Sequence, residues 1–119
     1  MQLANHTMAY QLIDTVVSPI GTVTLHEVQL PIGIHYELRV NGIYVMATYC
    51  QESESALAWK ALDMLGERPG ARVLIGGLGM GITLRETLDL PWIGEVVVAE
   101  IEPEVVEWRS KYFGPHNGN

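Results

Sequence analysis

A glycine-rich segment of the sequence carries residue types that suit nucleotide binding. It lies between a predicted strand and a predicted helix, where a glycine loop allows a tight turn and a close approach of backbone N–H groups to a ligand. The dinucleotide fingerprint requires a further glycine or alanine where this chain has Ile82, so that pattern does not fit. The residues of the segment are Gly76, Gly77, Leu78, Gly79, Met80 and Gly81.

An acidic residue follows the next predicted strand. Glu100 lies about 20 residues beyond the glycines, where a carboxylate can accept hydrogen bonds from both hydroxyls of a ribose. By position alone, Met80 and Ile101 could flank the adenine or the ribose. The alternative is a glycine-rich turn that only permits close packing of helix and strand, with Glu100 as a solvated acid. The combined pattern favours a nucleoside site.

The helix that precedes this segment is predicted from periodicity. Leu57, Ala61 and Leu65 recur every four residues, which predicts a helix from Ser53 to Leu65. Ser53 is a candidate N-cap, and Gly66 suits the position just after the helix.

Two short apolar strands and a final helix complete this half of the chain. Residues 72–75 predict a compact strand, and residues 95–100 lack alternation, as expected for a parallel strand that is covered on both faces. Pro103 suits the first position of a further helix, and Gly114 is predicted to lie beyond its end.

The first 50 residues instead predict a small antiparallel sheet. Strands are expected over 10–17, 22–29, 34–40 and 43–49, and Asn41-Gly42 between the last two predicts a type I′ hairpin turn. Strict alternation would place Leu38 opposite Val45 and Tyr36 opposite Ala47 on a buried face. Glu37 would then lie on the wetter face.

Composition narrows the class of protein. A chain of 119 residues with 48% hydrophobic and 18% charged residues is globular and about one domain long. No apolar run is long enough to span a membrane, and no secretion signal is readable, so we expect a soluble protein without a membrane partner. The formal charge of −7 disfavours nucleic-acid binding.

Cysteine and histidine usage points to no metal site. The one cysteine, Cys50, excludes an intramolecular disulfide, favours a cytoplasmic setting and is expected to be a packed thiol. The four histidines show no ligand spacing, so no metal is predicted. They are His6, His26, His35 and His116.

Two stretches of the sequence resemble a known family. Residues 73–86 and 97–108, which contain the glycine segment and Glu100, look like the spermidine synthase-like family of polyamine aminopropyltransferases. That family adopts the class I S-adenosylmethionine-dependent methyltransferase fold and carries a small N-terminal β-domain. The resemblance implies an α/β fold with a β-domain over 1–50. Residues 51–119 would form the first half of a methyltransferase-like Rossmann domain, a truncated β-α-β-α unit.

The same resemblance implies a ligand and a reaction. Residues 76–81 would bind the methylthioadenosine part of decarboxylated S-adenosylmethionine, and Glu100 its ribose. The nucleoside would be a co-substrate, with no tightly bound cofactor. The implied reaction transfers an aminopropyl group to a polyamine amine, in polyamine biosynthesis.

The sequence departs from the family in two places. Its helix reads Ser53-Glu54-Ser55 where polyamine synthases have a Tyr-His-Glu type segment. The acid that takes up the amine proton in the family follows a later strand, beyond Asn119, so the catalytic residues are unknown.

Two alternatives therefore stay open. One is a catalytically silent module that binds nucleoside or serves oligomerisation, and the other is an S-adenosylmethionine-dependent methyltransferase. Because two parallel strands leave an apolar edge, we also expect a homo-oligomer formed by association with a second copy or by strand exchange.

Overall fold

The computed structural model describes residues 9–117, and the chain divides after Cys50 into two compact units. The strands are β1 (Ala9–Ser18), β2 (Gly21–Leu30), β3 (Gly33–Val40), β4 (Ile43–Ala47), β5 (Ala71–Gly76) and β6 (Ile93–Ala99). The helices are α1 (Glu52–Leu65), α2 (Ile82–Leu88), α3 (Pro103–Trp108), a π-helix (Arg109–Phe113) and α4 (Gly114–Asn117). The predicted α/β fold class is confirmed.

The first unit is a four-stranded antiparallel sheet in the order β1-β2-β3-β4. Asn41 and Gly42 have φ angles of 51° and 78°, so both central residues of the β3–β4 hairpin adopt the left-handed conformation that a type I′ turn requires. The Asn41 side chain also accepts a hydrogen bond from the Thr22 N–H over 2.9 Å. The predicted sheet and hairpin are therefore confirmed.

The predicted pairing within that hairpin is wrong beyond its first residues. A bulge at Val45 of β4, opposite the step from Leu38 to Arg39, shifts the register, so Leu38 pairs with Met46 and Glu37 with Ala47. Glu37 is only 2% exposed rather than on a wet face. Arg39 forms an ion pair with its carboxylate at 2.6 Å, and the Tyr49 hydroxyl donates to it over 2.8 Å. These partners compensate for the burial of the charge.

In the second unit β5 and β6 form a parallel pair, as predicted. Their N-terminal ends approach closely, because a Cβ on Gly94 would lie 2.9 Å from the backbone of Gly70. Helix α1 packs against α2, where the Thr83 hydroxyl donates to the Glu54 carbonyl over 3.1 Å. The fully buried side chains of this unit are Met80, Ile82, Thr87, Phe113 and Asn117.

Four local predictions from Cys50 onward are wrong. The N-cap of α1 is Gln51, without a side-chain cap bond, rather than Ser53. Gly114 continues the helix with φ −52° because the π-helix carries the chain past Trp108. Val97 is 47% exposed, so β6 is not covered on both faces. Cys50 is exposed rather than packed.

Candidate functional site

The loop between β5 and α2 has a backbone conformation that depends on its glycines. Gly77, Gly79 and Gly81 have φ angles of 87°, 55° and 83°, a region that costs residues with a Cβ atom about 1–2 kcal/mol. A Cβ on Gly77 would meet nothing within 4 Å. The requirement at Gly77 is therefore conformational rather than steric, and the space beside it is open.

The parallel pairing of β5 and β6 anchors this loop. Gly76 pairs with Ala99, and the Gly77 N–H donates to the Ala99 carbonyl over 2.7 Å. The Gly81 N–H closes the loop by donating to the Leu78 carbonyl over 3.0 Å. Because the carboxyl ends of parallel strands share one edge of the sheet, the loop and the residue after β6 are brought together.

That residue is Glu100, and its carboxylate binds the glycine loop directly. The Leu78 N–H donates to Oε1 over 2.8 Å, and the Gly79 N–H approaches the same oxygen at 3.4 Å. The Glu102 N–H donates to Oε2 over 2.9 Å. Each carboxylate oxygen has about two acceptor positions, so Oε2 keeps one position for a ligand, while the second position of Oε1 is taken only by the long contact from Gly79. The backbone N–H groups fix the direction in which these oxygens point.

Glu100 and Leu78 also line an open cavity of about 430 Å³. Its walls are mostly apolar and come from α2, β6 and α3, with Arg109 and Ser110 following α3. Arg109 lies against the loop, because a Cβ on Gly81 would come within 3.1 Å of its Nε. This buried Nε has no hydrogen-bond partner among residues 9–117. The cavity therefore presents one carboxylate and one guanidinium in an apolar surround.

The far side of the loop is held by a residue that the sequence analysis missed. Asn117 is 1% exposed, and its side-chain amide donates to the Met80 carbonyl over 3.0 Å. Its Oδ1 accepts a hydrogen bond from the Gln51 side chain over 2.9 Å. No local pattern marks an asparagine so far along the chain as a loop anchor. Only the tertiary fold reveals this role.

The predicted site residues differ in how accessible they are. Met80 is fully buried, so its side chain belongs to the core, whereas Ile101 is 69% exposed beside Glu100. Gly76 and Gly77 are exposed, Leu78, Gly79 and Glu100 are half-buried, and Gly81 is buried. The structure brings the glycine loop and Glu100 together. The roles of all these residues in binding a ligand stay predictions.

The histidines that the structure describes have local hydrogen-bond partners or lie apart from this site. His26 contacts the Thr24 hydroxyl and His35 the Thr48 hydroxyl, both at 2.9 Å. Within residues 9–117 no group of three or more His, Cys, Asp or Glu residues is placed to hold a metal ion. His6 lies outside the described residues. In the same part of the chain no helix is long and apolar enough to cross a membrane.

Comparisons with known proteins give a fold rather than a sequence family. No protein-family model and no curated protein matches the chain. The crystal structure of spermidine synthase from Thermotoga maritima superposes with a TM-score of 0.67 and 23% identity. That superposition covers 89% of this chain and 36% of the synthase chain. Spermidine synthase in complex with the transition state analogue AdoDATO matches with the same score and identity, over 89% and 35%.

The chain therefore has an α/β fold shared with part of spermidine synthase, as the sequence resemblance predicted. It spans about a third of the length of those solved structures, with 36% and 35% of each covered.

Proposed function

We propose that residues 76–81 and Glu100 bind an S-adenosyl-type nucleoside, as the co-substrate site of a spermidine synthase-like transferase. The observation that carries this proposal is the hydrogen bond of 2.8 Å between the Leu78 N–H and Glu100 Oε1. It places a carboxylate at the glycine loop, with its two oxygens oriented by backbone donors. The solved complex of spermidine synthase with AdoDATO supports an adenosyl-type ligand for this fold.

The ribose is the part of the ligand that Glu100 suits. A ribose presents two neighbouring O–H donors. Oε2 can accept one beside its bond to Glu102, and Oε1 can accept the other in place of the 3.4 Å contact from Gly79, while it keeps its bond to Leu78. Such hydrogen bonds to a charged acceptor are worth about 1.5–3 kcal/mol. The exposed Ile101 would flank the nucleoside, and Met80 would contribute through its backbone because its side chain is buried.

The proposed reaction is aminopropyl transfer to a polyamine. The amine nitrogen attacks the methylene carbon attached to the sulfonium sulfur, the carbon–sulfur bond breaks, and methylthioadenosine leaves as a neutral thioether. The attacking amine must also lose a proton to a base. We assign no residue of this chain to that role.

Thermal unfolding with and without ligand tests the binding proposal. A ligand that binds only the folded chain must raise the unfolding midpoint, so millimolar methylthioadenosine should raise it while NAD does not. Adenosine should raise it more than 2′-deoxyadenosine, since the deoxy compound lacks one hydroxyl for Glu100. Equal shifts for that pair would refute the ribose assignment, and no shift with any nucleoside would refute the site.

Product analysis then identifies the chemistry. Methylthioadenosine formed from decarboxylated S-adenosylmethionine and an amine indicates aminopropyl transfer. S-adenosylhomocysteine formed from S-adenosylmethionine indicates methyl transfer instead. Binding without either product leaves the catalytically silent module as the function.

Association with a second copy through the β5–β6 sheet stays a prediction. Leu74 and Val97 on these strands are 73% and 47% exposed, which is unusual for apolar residues of a parallel sheet. We expect light scattering to show a homo-oligomer, and Leu74→Lys to shift it toward the monomer. A wild-type monomer at every concentration would contradict this prediction.

A further inference from the structure

A second cavity, of about 290 Å³, lies at the opposite edge of the parallel sheet from the glycine loop. Its walls come from the C-terminal half of α1 and from the segments that lead into β5 and β6. The glycine loop and Glu100 instead follow the carboxyl ends of those strands. The walls of this second cavity include Trp59, Leu62, Asp63, Glu67, Leu90 and Trp92.

Two tryptophans line this cavity from different parts of the chain. Trp59 is on α1 and is 54% exposed, which is unusual for so large an apolar side chain. Trp92 precedes β6, and its carbonyl accepts a hydrogen bond from the Gly70 N–H over 2.9 Å. The backbones of Gly70 and Gly94 approach so closely that a side chain on Gly94 would not fit. This close packing holds the backbone beside Trp92 in place. One indole is thus carried by a helix and the other by a tightly anchored loop.

The charged residues in the wall are both acidic. Asp63 lies one helical turn after Trp59, and Glu67 follows the end of α1. The ion pairs found among residues 9–117 involve other carboxylates, those of Glu37, Glu86 and Glu95. The cavity therefore combines two indole side chains with negative charge.

We propose that this cavity binds a quaternary ammonium group. The negative faces of indole rings attract a cation, and tryptophan does so most strongly among the aromatic residues. The methyl groups of a quaternary ammonium can pack on Leu62, Leu90 and the indoles, while Asp63 and Glu67 balance the charge. Anionic ligands such as phosphates would be repelled by these carboxylates. The volume is near the lower end of the range for small-ligand sites, which suits a group of this size.

Nuclear magnetic resonance of the indole N–H groups tests the proposal on the unmodified chain. The probes are choline and its neutral isostere, 3,3-dimethylbutan-1-ol, each at millimolar concentrations. Choline should shift the resonances of Trp59 and Trp92 but not that of Trp108, which is 2% exposed, lies on α3 and serves as the internal reference. The neutral isostere should cause much smaller shifts at equal concentration.

Three results would overturn the proposal. These are the absence of shifts with choline, equal shifts with the neutral isostere, and an equal response at Trp108. The neutral isostere separates attraction to the charge from apolar burial, because the two probes have the same shape. The experiment is also independent of nucleoside binding, since the glycine loop lies at the other edge of the sheet.

Single substitutions then show which side chains contribute to choline affinity. Trp59→Leu should weaken choline binding by about fivefold or more, since it removes one cation–π face at an exposed helix position. Asp63→Asn should also weaken it by about fivefold through loss of one charge. Glu107→Gln removes the same charge from an exposed position on α3 outside the cavity and should leave choline affinity unchanged. If Asp63→Asn and Glu107→Gln had equal effects, only the net charge of the chain would matter, and the site would be refuted.

Discussion

Replacement of Glu100 by glutamine separates the two roles that its carboxylate has in this structure. Oε1 accepts the Leu78 N–H at 2.8 Å, and Oε2 accepts the Glu102 N–H at 2.9 Å. A glutamine side chain has one oxygen and one NH₂ group, so it can accept a hydrogen bond from only one of these two N–H groups. Its NH₂ group would face the other N–H, and two donors cannot form a hydrogen bond. Losing one hydrogen bond to a charged acceptor costs about 1.5–3 kcal/mol. Because Glu100 is half-buried, we take about 2 kcal/mol.

The assay is thermal unfolding without ligand. For a chain of this size, 1 kcal/mol corresponds to about 4 °C, so Glu100→Gln should lower the midpoint by about 8 °C. Glu107→Gln is the matched control, because it makes the same chemical change at an exposed position of the same unit. A midpoint for Glu100→Gln within error of that control would refute the conclusion that Glu100 holds the loop.

Ligand binding tests the second role separately. If the carboxylate also holds the ribose, Glu100→Gln should weaken methylthioadenosine binding by about 1–3 kcal/mol, measured by calorimetry at a temperature where both proteins are folded. The preference for adenosine over 2′-deoxyadenosine should shrink in parallel. A variant that is destabilised yet binds both nucleosides as the wild type does would show that Glu100 supports the loop but does not contact the ribose.

Three further predictions follow from the structure. Gly77→Ala should lower the free energy of unfolding by about 1 kcal/mol in chemical denaturation because of its positive φ, whereas Gly76→Ala, without a positive φ, should change it little. Asn117→Ala should cost about 1–3 kcal/mol in the same assay, since a buried carbonyl loses its donor. Burial, and then the positive charge of Arg39, lowers the pKa of His26 from 6.5. As the pH falls below about 6.5, His26 therefore takes up a proton in the unfolded state before it does so in the folded state. The free energy of unfolding should decrease over this range, and His26→Gln should remove this contribution.

The order of elements was predictable because local rules act over a few residues. The Asn41-Gly42 turn, the glycine after α1 and the proline at the start of α3 each left a signal within one or two positions of its effect. The bulge at Val45 left no such signal. It moves Glu37 opposite Ala47, where Arg39 forms an ion pair with the buried carboxylate and Tyr49 donates a hydrogen bond to it, and that outcome depends on packing across the sheet.

The candidate site was likewise predictable only in part. Spacing alone associated the glycine loop with Glu100, because a strand, a loop, a helix and a second parallel strand bring those positions to one edge of a sheet. Spacing did not predict that the loop N–H groups would bind the carboxylate, or that Met80 would be buried. It also did not predict Asn117 as the anchor on the other side of the loop.

The α/β order of the elements, the tight glycine turn after β5 and the acid after β6 could be read from the sequence, since they follow from local backbone preferences and from the period of apolar residues. Which donors and acceptors meet depends instead on the tertiary fold. It paired Glu100 with Leu78, placed Asn117 against Met80 and brought Trp92 to the same cavity as Trp59. The physical reason is that such contacts join residues far apart in the chain, and their geometry is set by the packing of whole elements.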